Sequence, residues 1–245
     1  MRITVEDKDT KQVFDMYSEE SVEVLSHLWS KLCLHNKYTH NITWLGVPII
    51  QFSNDIIMMQ ELIWKMRPDV IIECGLAHGG SALFYASLLE IIGKGYVIGI
   101  DIDIRPYNKI VIQNHPLSHR VKMIEGSSIS ESVVNKLKKK ILGSTKIMVV
   151  LDSNHSTEHV LNELNIYKNI VTTGCYIVVM DGIQKYVWDI PNGKKEWKED
   201  NPLDAIEIFL EKNPHFEVDS HYERLKVTTN PKGFLKKVLN NNNLI

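Results

Sequence analysis

The sequence predicts an α/β fold: a seven-stranded, mostly parallel sheet with helices on both faces and an antiparallel hairpin at its carboxyl-terminal end. Three observations predict it. Runs of almost unbroken apolar residues, such as Val70-Ile71-Ile72 and Ile147-Met148-Val149-Val150-Leu151, are the pattern of strands buried on both faces. Segments with helical periodicity separate these runs, as crossovers between parallel strands require. The last two predicted strands are only a few residues apart, which suits a hairpin.

The elements follow in order. Val13, Phe14, Tyr17, Val22, Leu25, Leu28, Trp29 and Leu32 recur at roughly helical spacing and predict a helix over 14–34. Residues 38–52 read as irregular. Ser53 or Asn54 is the expected cap of a helix carrying Ile56, Ile57, Met59, Leu62, Ile63 and Met66, and Pro68 stops it. Strands are expected at 70–74, 96–101, 121–124, 147–151, 175–180, 215–219 and 224–229. Helices are expected at 80–92, 106–114, 130–141, 156–171 and 202–212. Asn240 to Asn243 read as a polar fraying tail. With 245 residues the chain has room for one such domain plus an extension. Residues 1–52 are read as a helical amino-terminal extension or cap and 53–245 as the main domain.

The run from Val70 to Ser81 is the most informative stretch. An apolar strand ends in Glu73, a glycine-bearing turn (Gly75, Gly79, Gly80) follows, and Ser81 begins a helix. Such a turn lets backbone N–H groups approach a ligand. The next strand ends in Asp101, an acceptor of the kind a ribose hydroxyl pair needs. The glycine spacing is wider than in the dinucleotide fingerprint, and Glu73 would repel a diphosphate but attract a cationic amino-acid group. S-adenosylmethionine combines that group with a ribose and no phosphate; NAD is the weaker reading, and an ordinary turn beside a surface acid is the bland one. Gly126-Ser127-Ser128 after the third strand is the expected place for the adenine ring, with Asp103 a possible helper to Asp101.

Two further strands end in Asp152 and Asp181. Adjacent parallel strands bring such tips together, and converging acids repel unless a cation joins them or one is protonated. Hard oxygen ligands favour Mg²⁺, which would lower the pKa of a bound hydroxyl. The alternative is that both acids cap the helices that follow. His155, three residues past Asp152, is placed to take a hydroxyl proton. His159 reads as a packed or solvent-facing helix residue, and His78 as a residue of the cofactor or substrate mouth. The Ile183–Asp200 segment, with Tyr186, Trp188 and Trp197, reads equally as a lid over the acceptor or as a surface loop packed by its own aromatics.

Together these residues resemble the cephalosporin hydroxylase family, which has the Rossmann-like class I S-adenosylmethionine-dependent methyltransferase fold. The likeness runs from about Thr43 to Val238. It rests on Thr43-Trp44-Leu45-Gly46, Arg67-Pro68-Asp69, Ile72-Glu73-Cys74-Gly75, Gly79-Gly80-Ser81, Gly99-Ile100-Asp101-Ile102-Asp103, Gly126-Ser127-Ser128 and Leu151-Asp152-Ser153-Asn154-His155. Asn201-Pro202, Asn230-Pro231 and Gly233-Phe234-Leu235 complete it. The resemblance implies an O-methyltransferase acting on a hydroxyl of a sugar or natural product. Its catalytic residues would be His155 and Asp152, and its metal would sit on Asp152 and an acidic pair after the fifth strand. Here that pair is Met180-Asp181, one carboxylate short, and Gly182 offers no ligand. This departure motivates an alternative, a non-catalytic cofactor-binding partner of a hydroxylase or other biosynthetic enzyme. No 2-His-1-carboxylate spacing supports iron.

Composition excludes several classes. A net charge of −2 gives no nucleic-acid footprint, and the Lys136, Lys138, Lys139, Lys140 cluster reads as a solvated helix end. The three scattered cysteines, Cys33, Cys74 and Cys175, argue against a zinc site or a disulfide frame. No apolar stretch is long enough to span a bilayer and no signal peptide is evident, so a cytoplasmic location is expected. The expected partner is a small-molecule or glycan acceptor, and the amino-terminal helix with Trp29, Tyr38 and Trp44 reads either as a cover for the pocket or as a surface that pairs with another subunit in a homo-oligomer.

Overall fold

The computed structural model of the chain describes residues 1–6 and 8–239. The tail expected at Asn240–Asn243 lies outside the described residues. The amino-terminal part differs from the sequence reading. β1 (Arg2–Glu6) and β2 (Lys11–Asp15) form an antiparallel hairpin, so residues 14 and 15 belong to a strand and α1 runs from Glu19 to His35. Asp15 Oδ1 accepts from the Tyr17 amide at 2.9 Å, and the Ser18 hydroxyl accepts from the Ser21 amide at 3.2 Å. A turn followed by an N-cap breaks the period that Val13, Phe14 and Tyr17 had suggested. β3 (Thr43–Trp44) and β4 (Val47–Pro48) make a second small hairpin inside the stretch read as irregular.

α2 (Ser53–Met66) carries Ser53 and Asn54 inside its first turn; the cap position is Phe52, with no side-chain hydrogen bond. The helix ends where Arg67 turns left-handed before Pro68. The main sheet then alternates with helices as the apolar runs require: β5 (Val70–Cys74), α3 (Gly80–Ile92), β6 (Tyr96–Asp101), α4 (Pro106–Asn114), β7 (Val121–Glu125), α5 (Glu131–Lys140), β8 (Ile147–Leu151), α6 (Thr157–Tyr167) and β9 (Tyr176–Val179). A short α7 (Gln184–Val187) and α8 (Pro202–Lys212) precede β10 (Phe216–Val218) and β11 (Phe234–Lys237). The strand order is β10-β11-β9-β8-β5-β6-β7, parallel from β9 to β7, with β11 antiparallel to both neighbours.

Strand periodicity divides the core. Ile71, Val97, Met148, Val150 and Val178 pack with Met59 and Leu62 of α2 and Leu83 and Phe84 of α3. Val70, Ile72, Ile98, Val149 and Ile177 pack with Leu137, Leu164 and Phe209 of α5, α6 and α8. The period of two places Glu73 on the Ile71 side, so a carboxylate enters an apolar layer. β6 and β7 extend from one side of β5 and β8 and β9 from the other. Such a reversal leaves a crevice at the carboxyl ends of the strands, where open α/β sheets bind ligands.

The second strand of the expected hairpin lies at 234–237, not 224–229. Val227-Thr228-Thr229 has strand-like composition, but a buried acid claims it. Asp55 of α2 accepts hydrogen bonds from the Thr228 hydroxyl, the Thr229 amide at 2.8 Å and the Thr229 hydroxyl at 3.0 Å. Phe234 and Leu235, fully buried, supply the strand that pairs with β9.

Burial raises the Asp55 carboxyl to about 6 against those three hydrogen bonds, with Asp181 adding repulsion. A carboxyl whose folded pKa is raised stabilises the fold below its unfolded pKa, near 4, and loses that contribution as pH rises through 6. Asp55→Asn removes the titration. We expect wild-type stability relative to Asp55→Asn to fall by roughly 2–3 kcal/mol between pH 4 and 7, measured by urea unfolding; a flat difference would refute the assignment.

Candidate active site

The crevice is assembled at the tips of four neighbouring strands, β9, β8, β5 and β6. Gly75, directly after β5, sits with φ +94° and donates its N–H to the Ile100 carbonyl. A Cβ there would lie 1.8 Å from the Asp152 carbonyl oxygen, so the tip of β5 and the turn after β8 cross in contact. Gly80 is equally confined, since its Cβ would meet the Pro48 carbonyl at 2.1 Å. These two glycines therefore serve close backbone packing as well as ligand approach.

Asp101 Oδ2 accepts from the Leu76 and Ala77 amides at 2.8 and 3.2 Å, and Oδ1 accepts from the Asp103 amide at 3.1 Å. It thus pins the glycine turn to β6 while still lining a cavity of about 420 Å³ with Gly75, Ser127, Ser128, Asp152 and His159. Asp103 contributes only its amide in this arrangement. Gly126 is absent from the cavity wall; its N–H donates to the Asp101 carbonyl at 2.8 Å and fixes the turn that presents Ser127 and Ser128. A second cavity of about 260 Å³ adjoins the first through Gly75, Ala77, Asp152 and Ser153. Its walls include Gln51, His78, Gly79, Gly80, Ser81, His155 and Asp181.

Beneath the glycine turn, Glu73 is fully buried and both carboxylate oxygens lack a hydrogen-bond partner. Gln51 Oε1 and Nε2 and the Tyr85 hydroxyl are buried and unpartnered as well. Burial pushes the Glu73 carboxyl well above the usual range, with Asp152 and Asp101 adding repulsion; the nearby Ser81 hydroxyl opposes this without completing a bond. Orphaned buried polar atoms are rare in a finished core and mark a place where a ligand or water completes the structure. A cationic group with several N–H donors fits that need, so the residues suit the amino-acid end of a sulfonium nucleoside.

At the far end of the second cavity stand Asp152, His155 and Asp181. One ligand atom from each lies within 4.8 Å of the others. His155 Nε2 is 3.4 Å from Asp152 Oδ1 and its Nδ1 is 3.4 Å from Asp181 Oδ2. Burial alone would lower the imidazole pKa, but Asp181 and Asp152 outweigh it and raise it to about 9. Burial raises Asp152 in turn, against its hydrogen bond to His155. The imidazolium is thus the positive charge that joins the two acids, and a half-buried site with this donor set suits a divalent cation. Met180 is buried in the core and Gly182 has no side chain, so the departure seen in the sequence is real. Asp181 adopts φ +59°, a left-handed conformation uncommon outside glycine, and its N–H donates to Asn230 Oδ1 at 3.1 Å.

Gln184 Nε2 lies 3.0 Å from His155 Nδ1, while its buried Oε1 has no partner. With the amide turned over, Oε1 would stand at this place and accept from Nδ1–H. Beyond His155 opens a third, polar cavity of about 530 Å³, lined by Ser153, Asn154, Gln184, Lys194, Glu196, Trp197 and Asp200. Ser153 borders all three cavities, so they form one continuous cleft.

His159 is a packed residue of α6, 19% exposed at its side chain, and its packing places it at the site: Nε2 stands 3.3 Å from the Ser128 hydroxyl and 3.2 Å from that of Ser153, at the wall of the first cavity. Gln51, Tyr85, Gln184 and Asn230 were missed by sequence reasoning. Asn230-Pro231 carried a signal as a polar turn pair, but nothing near it in sequence ties it to Asp181.

Residues 36–238 match the family described as Rhamnosyl O-methyltransferase/CmcI. A Rhamnosyl O-methyltransferase of Mycobacterium leprae (strain TN) is 32% identical over 143 residues, covering 57% of this chain and 59% of that protein. One of Mycobacterium bovis (strain BCG / Pasteur 1173P2) is 27% identical over 219 residues, 82% of each chain. A CmcI structure with Mg and SAM superposes with a TM-score of 0.58 at 17% identity, covering 82% of this chain and 78% of its own.

Because any side chain at position 75 collides with backbone on both counts of space and φ, Gly75→Ala should lose more than about 2 kcal/mol of stability. Urea unfolding of the purified variant checks this; a loss under about 0.5 kcal/mol, the usual scale for a surface change, would contradict the crossing.

Proposed function

The chain belongs to the Rhamnosyl O-methyltransferase/CmcI family, and from that premise we propose that it transfers a methyl group from S-adenosylmethionine to a sugar hydroxyl with the help of a divalent cation. The observation that carries this reading is the single cleft in which a nucleoside-sized cavity, an Asp-His-Asp centre and a polar outer cavity follow one another. The relatives named for rhamnose, and the polar lining of the outer cavity, favour a deoxysugar or related glycan hydroxyl as acceptor.

Asp101 holds the ribose, and Ser127, Ser128 and His159 frame the base. Glu73, Gln51 and Tyr85 meet the amino-acid end under the Gly75–Ser81 turn. S-adenosylmethionine held there would supply a sulfonium methyl for transfer to the acceptor oxygen, its own product being the neutral thioether. Asp152 and Asp181 would hold Mg²⁺ or a similar ion, which would lower the pKa of a hydroxyl bound to it. Gln184 Oε1 keeps the proton of His155 on Nδ1, leaving Nε2 to accept the proton of the acceptor hydroxyl as the new C–O bond forms. His155 can do so only when neutral, so the two carboxylates must first be satisfied by another positive charge. Holding both reactants along one cleft supplies much of the rate. The Ile183–Asp200 segment, anchored by the Asp200 side chain on the Thr157 amide at 2.6 Å, closes the acceptor side.

Two outcomes test the reading. Asp101→Asn should weaken S-adenosylmethionine binding at least tenfold in calorimetry, since one good hydrogen bond to a ribose is worth about 1.4 kcal/mol or more. His155→Gln should keep cofactor affinity within about twofold but lose 10²- to 10⁴-fold in kcat, a range roughly that of general base catalysis, on rhamnoside acceptors followed by methyl-group mass. Cofactor binding without turnover on any sugar or phenol would instead favour a non-catalytic binding partner.

A further inference from the structure

The amino-terminal helix leaves a row of large apolar residues half exposed. On α1, the buried positions are Ser21, Ser30 and Cys33. Beside them Val22 is 45% exposed, Leu25 43%, Trp29 51% and Leu32 52%. Trp29 leans on Tyr38, with ring centroids 6.4 Å apart, and borders a cavity with Cys33, Ile42 and Phe52, so the chain's own residues flank the row without sealing it. A contiguous apolar patch of this kind marks an interaction site.

We propose that this stripe docks on the same stripe of a second copy of the chain, the two α1 helices lying antiparallel about a two-fold axis near His27. Three features choose that occupant. The exposed residues are spaced three, four and three apart, which is the narrow a/d seam that fits one partner helix. No charged residue interrupts the seam between Ser18 and Asn36: its flanking positions are Ser21, Ser26, Leu28 and Cys33. The charges elsewhere on the helix are polarised, with Glu19, Glu20 and Glu23 in the first half and Lys31, His35 and Lys37 toward or just past the end. In an antiparallel pair Val22 lies level with Leu32 of the second copy, Leu25 with Trp29, and Glu19 with His35. A parallel pair would set like charges side by side. The isologous contact is the commonest oligomeric symmetry.

α1 lies outside residues 36–238, the part matched to the family. It also reaches the acceptor side of the cleft. Lys31 pairs with Asp189, His35 Nδ1 contacts Asn192 Oδ1 at 3.1 Å, and Asn192 Nδ2 donates to the Leu34 carbonyl. Pairing α1 with its copy would therefore brace the segment that borders the outer cavity. The inference is independent of the methyl-transfer reading and fails or stands without it.

Light scattering on the full chain should give the mass of a dimer, and Leu25→Lys with Leu32→Lys should halve it without changing the far-UV circular dichroism, since both side chains are exposed. In a Cys33→Ser background, an equimolar mixture of Val22→Cys and Leu32→Cys proteins should form a disulfide-linked dimer on mild oxidation, and each alone should not. A monomeric wild type, a dimer that survives both lysines, or Val22→Cys crosslinking to itself would each overturn the proposal. The first result would point instead to another protein as the cover.

Discussion

Acidic side chains at the ends of adjacent parallel strands share a poorly solvated crevice only when hydrogen-bond donors, a positive charge or a bound proton satisfies each of them. This constraint organises the molecule. Asp101 is satisfied by the backbone amides of the glycine turn, so it costs nothing to hold and serves as a hinge pin between β5 and β6. Asp152 and Asp181 are satisfied by His155. Glu73 is left without a partner inside an apolar layer. Two demands stay open, a partner for Glu73 and a cation that would free His155, and the proposed cofactor and metal would meet them. The protein thus keeps its electrostatic debts where its ligands bind.

Much of this was legible in the sequence because strand-end acids after apolar runs have few structural uses. Glu73, Asp101, Asp152, Asp181 and His155 were found that way, and the structure gathers them at one edge. The errors have a common origin in contacts distant along the chain. Val227-Thr228-Thr229 has the composition of a strand, but Asp55, more than 170 positions earlier, takes its hydrogen-bonding groups. Tyr17 has the spacing of a helix, but Asp15 and Ser18 turn the chain first. His159 looked ordinary because its meaning comes from Ser128 on a different crossover.

The glycines illustrate how a motif can be read correctly for an incomplete reason. A turn with Gly75, Gly79 and Gly80 suggests room for a ligand. In the structure Gly75 and Gly80 are spent first on backbone crossings with the Asp152 and Pro48 segments. Those crossings bring the Pro48 segment and the Asp152 turn against the glycine turn. The motif therefore reports the assembly of three chain segments, and the open space beside it is a result of that assembly.

Asn230 and β11 come late in the chain, yet one fixes the left-handed backbone of Asp181 and the other is the strand that lies between β9 and β10. During synthesis the ribosome must release both before the cleft can close. A nascent polypeptide halted short of them would leave the flank of β9 unpaired and the Asp181 backbone without its Asn230 contact.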